Sequence, residues 1–178
     1  MSLVINMNKL LIMDTTHPIN TRTERFKATL EKKYKVYVCS WSRNLNVNTS
    51  GLNDYFVFKT SIGYGNQIKK LLYLPLFFYF CLKVSFEVKP KIIFASHWDS
   101  LLCAILIKLL FIGKIKIIYD CLDMPTTSNS LLQKILLKTE KICIRFTNLT
   151  VFASRYFKEL YPQKINNLIF ENYPSKFI

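Results

Sequence analysis

Two short stretches place acid–base chemistry at the ends of apolar runs. Ser96, His97, Trp98 and Asp99 follow the run 91–95. An imidazole titrates near neutrality and a carboxylate can fix its tautomer, so His97 and Asp99 suit general acid–base work. The same residue types also serve as a polar loop and a helix-capping Asp. Asp120 and Asp123 follow the run 114–119, three residues apart. Paired carboxylates there could bind a sugar hydroxyl or act as a base, and could equally cap a helix or close a turn. The polar loop 14–21 holds Asp14 and His17, with Arg22 and Arg25 just beyond it. Exposed N–H groups at a helix start hold anions, so this loop either meets an anionic ligand or is a capped loop, with Thr21 and Glu24 as a capping box. Ser154 follows a further apolar run, where a short-helix cap is the simplest role.

These residues need elements to hold them. Continuous apolar runs at 9–13, 36–39, 55–58, 91–95, 114–119, 149–152 and 168–170 read as strands covered on both faces. Between most of them lie helical segments: 22–34, with Phe26 and Leu30 four apart, then about 67–88, 100–111, 130–146 and 155–160. Pro75 is expected to kink or split the second of these, and Asp99 to cap the third. The stretch 41–53 is a polar loop. Strands alternating with helices imply parallel pairing and right-handed crossovers, hence a doubly wound, mostly parallel α/β sheet of about seven strands in one domain. In such sheets ligands bind beyond the carboxyl ends of the strands, where His97, Asp120 and Asp14 fall.

Composition narrows the classes further. The 178 residues are 51% hydrophobic, with four Gly and six Pro, which suits one packed domain rather than a disordered chain. There is no G-x-G-x-x-G, P-loop or G-x-S-x-G motif, and no His/Cys spacing for a metal. No metal or cofactor is expected. The net charge of +14 favours anionic surroundings. The basic residues are scattered in pairs such as Lys32-Lys33 and Lys69-Lys70, so a solvated surface or a membrane surface fits better than nucleic acid. The five cysteines form no C-x-x-C pair and fit a reduced, cytoplasmic setting. The apolar stretch 71–86 contains Pro75 and Lys83 and falls short of the ~20 residues that span a bilayer. It reads as a buried or partly membrane-facing helix.

In order along the chain, four stretches resemble the amino-terminal domain of family 4 glycosyltransferases of GT-B fold. They are the opening strand with His17-Pro18, Arg22, Phe26 and Leu30; Lys89-Pro90 through His97, Asp99 and Leu102; residues 116–125 with Asp120, Asp123 and Pro125; and 149–154 with the exit Glu171-Asn172-Tyr173-Pro174. The resemblance implies a Rossmann-like acceptor-side domain over 9–174, with residues 1–8 as a start and 175–178 opening a linker. A carboxyl-terminal donor domain would be the missing partner, and the chain alone would be inactive. It implies transfer from a nucleotide sugar, itself a substrate, to a lipid-linked or polysaccharide acceptor, at the inner face of the cell membrane. His97, Asp120 and Asp123 would be catalytic. Asp14, His17, Arg22, Trp98, Asp99, Ser154 and Asn172 would bind substrate. Two departures stand out: Leu122 occupies the place of a His usual in the family, and the first loop lacks glycines. They leave open a non-catalytic α/β subunit that anchors a split transferase.

Overall fold

The seven apolar runs all become strands. They are β1 (Lys9–Asp14), β2 (Lys35–Ser42), β3 (Tyr55–Lys59), β4 (Ile92–Ser96), β5 (Lys116–Cys121), β6 (Leu149–Phe152) and β7 (Asn167–Ile169). The helices are α1 (Thr21–Leu30), α2 (Gln67–Val88), α3 (His97–Leu110), α4 (Ser130–Ile144) and α5 (Arg155–Glu159). The computed structural model describes residues 7–63, 65, 67–127, 129–161 and 165–171; Asn172, Tyr173 and Pro174 lie outside them. The strands form one sheet in the order β3-β2-β1-β4-β5-β6-β7, with every pairing parallel.

Side chains alternate across a strand, so β1 to β5 each feed two cores. Leu10, Ile12, Val36, Val38 and Phe94 form one layer with Phe26 and Leu30 of α1. Leu11, Met13, Cys39, Trp41, Ile93 and Tyr119 form the other with α2 and α3. This double covering explains why the strands carry no polar alternation.

Three local expectations are corrected. Asn20, rather than Thr21, caps α1: its side chain accepts from the Thr23 N–H. α3 begins at His97, three residues earlier than expected, and its cap residue Ser96 makes no side-chain cap bond, so Asp99 lies in the first turn instead of capping. Pro75 does not split α2, which runs as one element of 22 residues. Leu74 and Phe77 on either side of it are buried against the sheet. Ser154 does cap α5, accepting from the Tyr156 N–H.

Glu140 of α4 is buried beneath the carboxyl end of β5. Its carboxylate accepts hydrogen bonds from the Tyr119 and Tyr161 hydroxyls, tying α4 to β5 and to the turn after α5. Burial pushes its carboxyl above the ordinary 4.5, against the pull of the two tyrosines. The folded state therefore holds this proton more tightly than the unfolded chain. Its contribution is complete below pH 4.5 and is lost as pH rises through the folded value. Glu140→Gln is expected to flatten that part of the profile, read as the difference in thermal midpoint between variant and parent across pH 4–8.

Candidate active site

The strand order reverses between β1 and β4, which opens a crevice at their carboxyl ends. Asp14 ends β1 and His97 follows β4 directly. A depression of about 160 Å³ lies there, lined by Thr15, Thr16, Lys70, His97, Trp98, Asp99 and Asp123 with the 124–126 turn and Leu136.

His97 sits at its centre. Its backbone has φ 70, the left-handed region that costs a non-glycine residue energy, and the neighbouring structure must hold it there. Nδ1 is 3.2 Å from Asp123 Oδ1, and Nε2 is 4.0 Å from Asp14 Oδ1. The His97 side chain is 17% exposed, whereas Asp123 is 67% exposed at the mouth. Burial opposes the imidazolium, but the Asp123 hydrogen bond and the fields of Asp14, Asp99 and Asp123 outweigh it and raise the His97 pKa to about 9. Asp14 is fully buried and its carboxyl is pushed up by desolvation, partly offset by His97 and by two hydrogen bonds from Thr16.

The remaining charges cancel in pairs. Lys70, in the first turn of α2, forms an ion pair with Asp99 and reaches Thr15 Oγ1 at 3.3 Å. Thr15 donates to Asp99 at 2.9 Å. Burial raises the Asp99 carboxyl, but Lys70, His97 and the Thr15 hydrogen bond pull it below its usual value. Arg22 and Asp120 form the second pair, through contacts of 2.9–3.1 Å. What stays available to a ligand is the His97 cation between two carboxylates, one of them open to solvent.

The structure thus sorts the expected residues. His97, Asp123, Trp98 and Asp99 line the depression, with Asp14 directly behind His97. Asp120 is not at the mouth as expected: it is fully buried, and both oxygens are engaged by Arg22. Arg22 is buried rather than presented to an anion, and its remaining NH1 donates to the Phe170 carbonyl at 2.8 Å. Arg25 is exposed. His17 is buried and its Nδ1 is 3.0 Å from Ser40 Oγ, away from the depression. Ser154 serves α5. Asn172 lies outside the described residues.

Lys70 and Thr15 were not foreseen. Lys70 carried a signal, because a cation in the first turn of a helix opposes the helix dipole unless an acid meets it.

No protein-family model matches the sequence, and no curated protein matches it. Solved structures do. Sucrose-phosphate synthase from Thermosynechococcus elongatus superposes with TM-score 0.67 at 10% identity, over 92% of this chain and 48% of that one. UDP-N-acetylglucosamine 2-epimerase from Rickettsia bellii gives 0.63 at 16% identity, over 91% and 44%. The lipopolysaccharide outer core galactosyltransferase WaaB gives 0.60 at 13% identity, over 86% and 41%. The fold is that of a GT-B amino-terminal domain. This chain spans less than half the length of those three proteins.

Two outcomes follow for the GT-B-type domain. The chain has two histidines, and burial together with Lys59 pulls His17 below 6.5 while His97 lies near 9. NMR titration should resolve two well-separated imidazoles, and Asp123→Asn should move only the upper one downward. Arg22→Met strands the buried Asp120 carboxylate and should cost about 3–5 kcal/mol in denaturant unfolding. Arg22→Met combined with Asp120→Leu should cost less than Arg22→Met alone.

Proposed function

We propose that this domain forms the acceptor side of a glycosyltransferase, which moves a sugar from a nucleotide-sugar donor to a lipid-linked or polysaccharide acceptor. The observation that carries the reading is the His97–Asp123 pair, backed by Asp14, at the strand-order reversal of a GT-B-type sheet. A second domain supplies the donor from the facing wall of the cleft. Asp123, exposed at the mouth, accepts a hydrogen bond from the acceptor hydroxyl and takes its proton as the new oxygen–C1 bond forms. The bond from C1 to the leaving phosphate breaks in the same transfer. His97, held as an imidazolium, aligns Asp123 and stabilises negative charge that develops beside it. Trp98 offers an aromatic surface to a sugar ring, while Lys70 and Thr15 fix Asp99 beneath.

Leu122, where the resembling family carries a His, favours a second reading: an α/β subunit that binds acceptor or membrane for a separate catalytic partner. One experiment separates the two. The domain is joined to, or mixed with, a donor-binding domain and screened against nucleotide sugars. Turnover is expected, with His97→Ala and Asp123→Ala each lowering kcat/KM by about 10²-fold or more. Full activity in both variants would sink the catalytic roles. Turnover by the 178-residue chain alone would sink the two-domain scheme.

A further inference from the structure

α2 is apolar on both sides. Its inner side, with Leu74, Phe77, Cys81, Val84 and Val88, is buried against the sheet. Ile68, Leu72, Leu76, Tyr79 and Phe86 are spaced by three, four or seven residues, so they share one outer stripe. All five are exposed, with Ile68, Leu72 and Tyr79 at 70%, 71% and 68%. Lys83 lies within the stripe and Lys69 at its edge, and Glu87 is the single acid of the helix. A surface helix ordinarily turns a charged side outward, and this one turns a second apolar side there instead.

The apolar surface continues beyond the helix. The Phe86 ring lies 5.0 Å from that of Phe111. The next residue, Ile112, is 83% exposed and has φ 54, a left-handed backbone that a β-branched residue adopts only at a cost. Phe86 and Phe111 also line a cavity of about 640 Å³ at the amino ends of β4 and β5, together with Lys89, Lys91, Lys114 and Lys116 and no acidic residue.

We propose that this face docks on an anionic bilayer. α2 lies in the interface plane with its outer stripe among the upper acyl chains, and the lysine-lined cavity takes lipid phosphates. Apolar side chains beside a cavity whose charged lining is all lysine match the layering of acyl chains beneath phosphates, and the net charge of +14 adds long-range attraction. Tyr79 and Tyr73 combine an apolar body with a polar tip, as interfacial residues do. The helix is long and apolar enough to cross a membrane, but its inner side belongs to the core of a sheet, so it lies along the surface. The surface stands apart from the chemistry of the cleft. One consequence rests on the sugar-transfer reading: Lys70, at the amino end of α2, brings the cleft to the level of a lipid-linked acceptor.

Flotation of the 178-residue chain with vesicles tests the docking without any sugar. Binding is expected to an equal mixture of phosphatidylcholine and phosphatidylglycerol, weakening with salt, and to be much lower with phosphatidylcholine alone. Leu72→Glu with Tyr79→Glu should lower partitioning about tenfold or more, as should Lys89→Glu with Lys114→Glu, with circular dichroism and thermal midpoint unchanged. Tyr79→Trp gives a direct reading that needs no loss of apolar surface: lipids brominated on their acyl chains should quench it beyond the signal of the parent chain. No flotation with anionic vesicles, or no added quenching, overturns the proposal. So does a dimer in solution that Leu72→Glu disperses, since the stripe would then be a contact between two copies.

Discussion

The buried pair of Arg22 and Asp120 fixes where everything else at the carboxyl rim must lie. Arg22 comes from α1, and Asp120 from a strand two places beyond β1 in the sheet. The guanidinium also holds the Phe170 carbonyl and stacks between the rings of Phe26 and Phe170, each centroid 5.2 Å away. One cation thus fastens α1 to the end of β5 and to the segment after β7. Removing two charges from water is costly, and only a geometry that satisfies both groups offsets it. Planar, multiply bonded contact of this kind is what arginine provides and lysine does not.

That pairing also decides the chemistry left over. With Asp120 held by Arg22 and Asp99 by Lys70, His97 is, among the described residues, the cation that meets Asp14 and Asp123. Its charge is set by the two carboxylates it meets, one sealed and one wet, with Asp99 adding to their field. A site of this kind separates roles by environment, because identical side chains respond oppositely to burial and to solvent.

Much of the fold was legible because its strands are continuous apolar runs between turn signals. β1, β4 and β6 were placed within a residue or so of their observed limits. Four of the five helix starts were likewise legible within a residue, and only that of α3 was missed. Ser96 precedes a residue in left-handed conformation, and no composition rule announces that α3 opens there, on His97. Within the candidate site, His97 and Asp123 could be read from their position after strands. The fate of Asp120 could not, since its partner lies 98 residues away and sequence spacing says nothing about such a pairing. Lys70 was hidden in a lysine pair that looked like ordinary surface. The apolarity of α2 was visible, but composition does not say which side of a helix is covered; that needed the sheet.

The thiols carry a last implication. Cys39, Cys81, Cys103, Cys121 and Cys143 are all reduced and buried, and burial raises the thiols of Cys81, Cys103, Cys121 and Cys143 away from the reactive thiolate. The folded chain is consequently almost inert to alkylating reagents. Cys143 belongs to α4, Cys103 to α3, and Cys39 and Cys81 touch at 3.4 Å between β2 and α2. All five sulfurs lie in the layer that α2, α3 and α4 cover and none in the α1 layer, so the order in which they become labelled would record the order in which those three helices lift from the sheet.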